Sequence, residues 1–507
     1  MPERSLDLAP PRADASPAPR VLLVDPYQSR HDPMERKFLE LYPSLSLLTL
    51  AGYLRDEGSD VRIVDLTFER DARRVAAELR TFRPDVVGVH TKTLTQDRAG
   101  EIAGIARRAQ VYSVAGGPDS ASRPDLYLDL GFDAVALGEG EVTLLDLARR
   151  RHTGASVVGT PGLVVRSGGR TIYGPRRAFV KDLDALPLPA WDLVDMEAYL
   201  GRWSARTGER RAAVLTSRGC PFDCSWCSKP TFGRTFRQQS PSRVIDELRA
   251  LKERYGVDYV RFCDDVFAIS RRWIDELLDR MIADDLGMRF ECLARVDLLK
   301  PDLLGRMREA GLERVYVGVE SGSQKMLDLM NRGTQLRQVE RTAESLRREG
   351  IRQFWFLMLG YPGETLDDID ATLRLFRRFS PEEYSVSIAV PVPGTRFYEA
   401  VKGKLNRRAP STRGNGGRAL LYDATYPQAL YRWEQSRFRW EARMAKARGR
   451  IAPALMRQLE RWTDQLDTQV ARPLILGPDP TPASGGARAR ARSFPWPSGS
   501  KSRRPSG

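Results

Sequence analysis

The stretch Arg218-Gly-Cys-Pro-Phe-Asp-Cys-Ser-Trp-Cys-Ser-Lys229 decides how the rest of the chain is read. Cys220, Cys224 and Cys227 stand at Cys-x3-Cys-x2-Cys spacing on one short segment. Thiolates this close converge on three corners of an iron–sulfur cube and leave its fourth iron without a protein ligand. Ferredoxin-type clusters recruit four cysteines and structural zinc sites close with four ligands, so both need a further donor. Only Cys263 and Cys292 remain, each inside a predicted strand, and no histidine lies near the loop. Either stays open as a fourth ligand, although a lone strand cysteine reads as a small buried hydrophobe. Five cysteines in 507 residues, with no secretion signal, argue against a disulfide framework and for a cytoplasmic protein. The loop predicts chemistry at an open iron.

Downstream of Ala213, strand-like and helix-like runs alternate. Predicted strands are 213–217, 258–263, 289–296, 313–320, 353–360 and 384–391, with helices near 242–255, 271–286, 301–310, 335–349 and 365–379. Six such units predict a partial (β/α)6 barrel over 206–400 with its site at the carboxyl ends of the strands. Polar and turn-forming residues collect at those ends: Asp264 and Asp265, Arg295 and Asp297, Glu320-Ser321-Gly322, Gly360-Tyr-Pro-Gly363-Glu364 and Pro391-Val-Pro-Gly-Thr395. Lone strand-end carboxylates serve as helix caps or surface charge. Five consecutive ends of this kind read as a site.

Upstream, Val21-Leu-Leu-Val-Asp25, Val61-Arg-Ile-Val-Asp65, Val86-Val-Gly-Val-His90, Val111-Tyr-Ser-Val-Ala115 and Ala134-Val-Ala-Leu137 read as strands with helices between them. The clearest helix runs from an N-cap at Ser44 to a stop at Gly58. This pattern predicts a doubly wound, Rossmann-like α/β sheet over 20–152, whose crevice lies at the strands' carboxyl ends. Two glycine loops fall there, Gly116-Gly117-Pro118-Asp119 and Gly138-Glu139-Gly140-Glu141. Each alone reads as a tight turn; together they let backbone approach a large ligand. No Gly-x-Gly-x-x-Gly follows the first strand, which argues against a dinucleotide.

With Trp226 just before its last cysteine, the loop resembles that of the radical S-adenosylmethionine (SAM) enzymes. The resemblance implies a [4Fe–4S] cluster on Cys220, Cys224 and Cys227, with the SAM amino and carboxylate groups on the fourth iron. It also implies SAM contacts from Trp226, Asp264, Asp265, Arg295, Asp297, Glu320, Ser321, Gly322, Gly360, Gly363 and Glu364. The glycine loops ahead of it resemble the cobalamin domain of cobalamin-binding radical SAM enzymes, the group that includes the anaerobic magnesium-protoporphyrin ester cyclase. That implies cobalamin contacts from His90, Thr91, Gly116, Gly117, Pro118, Gly138, Glu139, Gly140 and Glu141. Asp119 stands where the family commonly has histidine. The Asp-x-His-x-x-Gly signature is absent, so no histidine is expected below the cobalt.

The resemblance covers roughly residues 20–400. It implies a methyltransferase acting on an unactivated carbon of a small molecule (a secondary metabolite, lipid or tetrapyrrole), fed by a flavodoxin- or ferredoxin-like electron donor. A cyclase or rearrangement enzyme with the same cofactors is the alternative. An RNA-binding protein is a third, suggested by charge. The chain carries a formal +15, and from Val401 onward 22 Lys/Arg stand against 7 Asp/Glu, so residues 1–400 sum to zero. No known RNA module fills that region, and nucleic acid is not expected as a partner. Lys229, Arg234 and Arg237 read equally as an anion-attracting patch or a solvated face. No apolar run approaches the roughly 18 residues of a membrane span. A disordered leader (1–19), a connector (153–205) holding a hairpin around Ser167-Gly-Gly169, a helical region (401–477) and a disordered basic tail (478–507) complete the division. Tyr426, Tyr431, Trp433, Phe438 and Trp440 are expected on helices packed against the barrel.

Overall fold

A computed structural model describes residues 18–32, 41–228, 232–406, 420–447 and 453–476. The greater part of the leader, Lys229 and the basic tail lie outside the described residues. Two parallel sheets dominate. The first contains β1 (Arg20–Asp25), β2 (Asp60–Asp65), β3 (Val86–His90), β4 (Tyr112–Gly116) and β5 (Ala134–Ala136). The strand order is β2-β1-β3-β4-β5, all parallel. Helices α1 (Leu45–Asp56), α2 (Arg73–Phe82) and α3 (Gln96–Arg108) provide the first three crossovers, two short helical turns (Pro118–Ser122 and Pro124–Asp129) the fourth, and α4 (Glu141–His152) follows β5. β1 is buried on both faces, as its Val-Leu-Leu-Val run requires. Each such side chain contributes about 1.5–3 kcal/mol of burial.

The expected hairpin forms as β6 (Leu163–Ser167) and β7 (Arg170–Tyr173), turning through Gly168 and Gly169 at φ +57° and +73°. It adds antiparallel to β5 and so extends the first sheet.

The second sheet runs β8 (Arg211–Val214), β11 (Tyr259–Phe262), β12 (Arg289–Ala294), β13 (Leu312–Glu320), β14 (Arg352–Leu359) and β15 (Glu383–Ile388), in sequence order and all parallel. It is the open barrel the alternation predicts. Its helices are α5 (Pro241–Tyr255), α6 (Arg271–Ala283), α7 (Pro301–Glu309), α8 (Leu336–Arg348) and α9 (Leu366–Phe379). Ser240 and Ser270 cap α5 and α6 by accepting from the Arg243 and Trp273 amides. One strand face, including Val260, Phe262, Phe290, Val315, Val317 and Trp355, joins the apolar core with the helices. The alternating residues face the lumen, where Glu291 receives Arg211, Arg314 and the Tyr259 hydroxyl.

Four local expectations are corrected. The strand expected over 213–217 ends at Val214; Ser217–Arg218 (β9) instead pairs antiparallel with Arg237–Gln238 (β10). Ser44 occupies the N-cap of α1 as expected but does not cap it with its side chain, because its hydroxyl meets His90 Nδ1 at 3.0 Å. Cys263 falls one residue past β11. Arg237 is no part of an anion-attracting patch, since its half-buried guanidinium is paired with Glu139. Gly58 does follow α1 at φ +84°, in the role expected of it.

The C-terminal aromatics lie on α10 (Gln428–Ala447) or just before it, and Tyr431 and Phe438 are fully buried. Arg437 and Arg472 pair internally with Glu434, Asp370 and Asp467. Basic residues counted from the sequence as a possible anchor are thus partly structural. Among the described residues, no helix is long and apolar enough to cross a membrane.

Candidate active site between the two sheets

The carboxyl ends of both sheets open onto two adjoining cavities of about 500 Å³ each. Pro118, from the first sheet's glycine loop, and Phe232, beyond the cysteine loop, line both.

Cys220, Cys224 and Cys227 all line the barrel-side cavity. Among the described residues, no three His, Cys, Asp or Glu side chains close around a single metal ion. A four-iron cube takes its thiols from a wider mouth than one ion does, and this mouth supplies three. Cys263 lines the other cavity, and Cys292 is fully buried in the apolar core. Neither faces the three thiols. Arg332 Nη1 donates to Cys224 Sγ at 3.4 Å and Arg295 Nη1 reaches it at 3.8 Å, so cationic charge stands where a thiolate-bound cluster would gather negative charge.

The strand-end residues split by side-chain direction. Asp265, Arg295 and Glu320 line the cysteine cavity, with Trp226 from the loop itself. Glu320 adopts φ +63°, a left-handed conformation that costs a non-glycine residue energy and is kept at sites that use it. Burial raises its carboxyl pKa, against the pull of Arg332 and Arg295. Arg295 commits its Nε and Nη2 to Asp297 at 2.9 and 3.1 Å and stacks 3.8 Å over Phe222. It is therefore less available to a ligand carboxylate than its position in the sequence suggests.

The other expected SAM contacts face elsewhere. Asp264 accepts from the Thr216 and Ser217 amides and hydroxyls and so pins the chain entering the cysteine loop; burial nevertheless pushes its pKa up to about 6. Asp297 holds Arg295. Ser321 and the Gly322 amide bond Thr372 on α9. Glu364 accepts from the Gly360 amide at 2.6 Å, fully buried, with its pKa pushed up to about 8 by that burial. Gly363 packs near Leu329.

Sequence reasoning missed Arg332, which lies after no strand. It enters the cavity from the Asn331-Arg332-Gly333 turn, and its Nε is buried without a hydrogen-bond partner. An orphaned guanidinium nitrogen beside Glu320 fits a zwitterionic ligand such as SAM. Gly318, Phe356, Met358 and Ser387 also line it and carried no signal beyond strand alternation.

The second cavity is lined by His90, Gly116, Gly117, Pro118, Gly138, Glu139, Gly140 and Glu141, with Leu23, Leu47, Leu50, Gly88 and Val114 beneath. Thr91 does not reach it; its hydroxyl donates to the Gly116 carbonyl at 2.9 Å and steadies the loop. Gly117 has φ +120°, and a Cβ there would lie 2.6 Å from the Thr91 carbonyl oxygen and 2.9 Å from His90 Cδ2. Only glycine fits this cradle. Burial, assisted by Lys92, pushes the His90 pKa down to about 3, so the imidazole is neutral. Asp119 turns away from the cavity to accept from Thr93 and Arg123. A wide, mostly apolar cavity roofed by glycine backbone suits a large planar group with neutral amide arms, as cobalamin is.

Family profiles match in the same places: the B12 binding domain over residues 35–148 and the Radical SAM superfamily over residues 214–376. An uncharacterised methyltransferase of Pyrococcus horikoshii is 31% identical over 363 residues, 70% of this chain and 78% of that one. The anaerobic magnesium-protoporphyrin IX monomethyl ester cyclase of Rubrivivax gelatinosus is 28% identical over 376 residues, 72% and 67% of the two chains. The radical SAM methyltransferase TsrM from Kitasatospora setae, solved with cobalamin and a [4Fe–4S] cluster, shares the fold at TM-score 0.64 and 22% identity, covering 76% of this chain and 75% of that one. The family profiles, these relatives and the layout of the two cavities agree: the chain belongs to the cobalamin-binding radical SAM enzymes, whose cofactors are a [4Fe–4S] cluster, SAM and cobalamin.

Proposed function

We propose that this protein is a cobalamin-dependent radical SAM methyltransferase that adds a methyl group to an unactivated carbon of a small molecule. The observation that carries the reading is the pair of cavities sharing Pro118 and Phe232, since methyl transfer needs two cofactors facing one substrate. A carbon without acidic hydrogens offers no side chain a foothold, so SAM at the open iron supplies hydrogen-atom removal and cobalamin supplies the methyl group. The protein's own residues bind, orient and exclude water. Cys220, Cys224 and Cys227 hold the cluster, while Trp226, Asp265, Glu320 and Arg332 orient SAM. Leu293, Phe356 and Met358 keep the reacting volume apolar, and His90 with the two glycine loops seats the corrin. On this reading, residues 20–152 form the cobalamin domain and 206–400 the SAM domain. The enzyme works in the cytoplasm on a secondary metabolite, lipid or tetrapyrrole, with reducing equivalents from a flavodoxin- or ferredoxin-like protein.

Anaerobic reconstitution with iron, sulfide, hydroxocobalamin, SAM and a reductant tests it. The expected outcome is a cluster spectrum, bound cobalamin, and 5′-deoxyadenosine with S-adenosylhomocysteine in the presence of substrate, the product being roughly 14 mass units heavier. Bound cofactors that yield no S-adenosylhomocysteine and an unmethylated product would favour the cyclase reading, for which the Rubrivivax relative speaks.

A further inference from the structure

Arg218 lines one cavity and stands beside a residue that walls both. It lies two residues before Cys220 and lines the glycine-loop cavity. Its Nη1 donates to Glu139 Oε1 at 2.8 Å and its Nη2 to Glu141 Oε1 at 2.5 Å, both carboxylates belonging to the Gly138–Glu141 loop. Its cross-strand neighbour in the β9–β10 ribbon is Arg237, whose Nη1 meets the same Glu139 oxygen at 2.8 Å. The Val180 amide takes the second Glu139 oxygen at 2.6 Å. The Arg218 guanidinium also stands 5.6 Å from the ring centroid of Phe232, one of the two residues common to both cavities. Arg218, Glu139 and Glu141 are 7, 8 and 4% exposed, so these ion pairs are internal.

We propose that this clamp couples the two sites: cobalamin binding tightens SAM binding through Arg218, which acts as a positioning residue. The inference rests on the two-cofactor reading above. A corrin seated against Arg218, Glu139 and Glu141 closes off the small part of them still open to the cavity, and charge attraction grows as the local dielectric falls. Stronger pairs hold β9 on β10, and β9 runs directly into Gly219 and Cys220. The backbone has little latitude there, because Gly219 is at φ +85° and a side chain on it would collide with the Thr235 carbonyl. A cysteine loop already ordered has less freedom left to lose when SAM arrives. Linkage then requires SAM to tighten cobalamin by the same factor. Arginine is needed because one planar fork must serve two carboxylates at once.

The test is SAM affinity, measured by anaerobic equilibrium dialysis on cluster-reconstituted protein with and without saturating hydroxocobalamin. In the unmodified protein, cobalamin is expected to tighten SAM about tenfold. In Glu141→Gln, compared at equal iron and sulfide content, the gain is expected to fall below about twofold. Arg218→Lys keeps the charge but not the fork and should lose the gain as well; it decides the matter should Glu141→Gln fail to hold its cluster. A merely structural clamp would order the loop whether or not cobalamin is bound and would show no linkage. Both cofactors binding without linkage, or the full gain surviving in both variants, overturns the coupling and leaves the proposed function standing. Failure of the unmodified protein to bind either cofactor overturns both.

Discussion

The two cavities are similar in volume but built from different material. The one above the first sheet is walled by glycine backbone and aliphatic side chains, and its two glutamates are spent on Arg218. The one above the barrel is walled by thiols, a left-handed glutamate and an arginine with an orphaned nitrogen. The difference teaches that ligand class is written in how polar groups are used, not in how many there are. A broad neutral ligand is received by space, which glycines provide. A small zwitterion is received by unspent charge.

That contrast can be broken most forcefully at the thiols. Replacing any one of Cys220, Cys224 or Cys227 by alanine is expected to cut SAM cleavage by more than about a thousandfold, equivalent to roughly 4 kcal/mol. Iron content and 5′-deoxyadenosine are the readouts, and cobalamin binding should survive. The converse change is Gly117→Val, which fills the cradle. It should weaken hydroxocobalamin binding about a hundredfold, close to 3 kcal/mol, while the cluster spectrum stays intact. Loss of the cluster in that variant would show the cavities to be less separate than their linings suggest.

Smaller effects sharpen the picture. Arg332→Lys keeps the charge but loses the fork, and should raise the Kd for SAM about tenfold with no change in cobalamin retention. Glu364 faces neither cavity, so its influence should appear in stability alone. Its folded pKa of about 8 lies above the ordinary 4.5, so the folded protein holds a proton that the unfolded chain has released. Stability therefore falls as pH rises between those values, by at most about 1.4 kcal/mol per pH unit. Glu364→Gln should flatten the dependence of Tm on pH between 6 and 8.

Much of the fold was legible because strand and helix periods differ. The six barrel strands lie within a few residues of their expected places, and α1 stops where Gly58 predicts. The cysteine loop was legible because its spacing admits few chemistries. What was not legible is which way a residue points once a strand has ended. Asp264 and Asp265 are neighbours in sequence, yet one pins Thr216 and Ser217 while the other lines the cavity. Glu320 and Ser321 diverge because Glu320 sits at positive φ, which no propensity announces. Arg332 comes from a turn, where periodicity is silent. Glu139 and Glu141 were expected to contact ligand, and they do line a cavity, but their carboxylates belong to arginines more than 70 residues away in sequence. Sequence alone does not say which charges have already found partners.

One proline from the glycine loop after β4 and one phenylalanine just beyond the cysteine loop form the partition that the chambers share. Neither half therefore closes its own chamber. A protein cut between them would yield two open bowls, each exposing to solvent the side from which its reagent must be shielded. The two chemistries were in that sense never separable modules, and any scheme that swaps one half for a homologue's must also match the two residues at the seam.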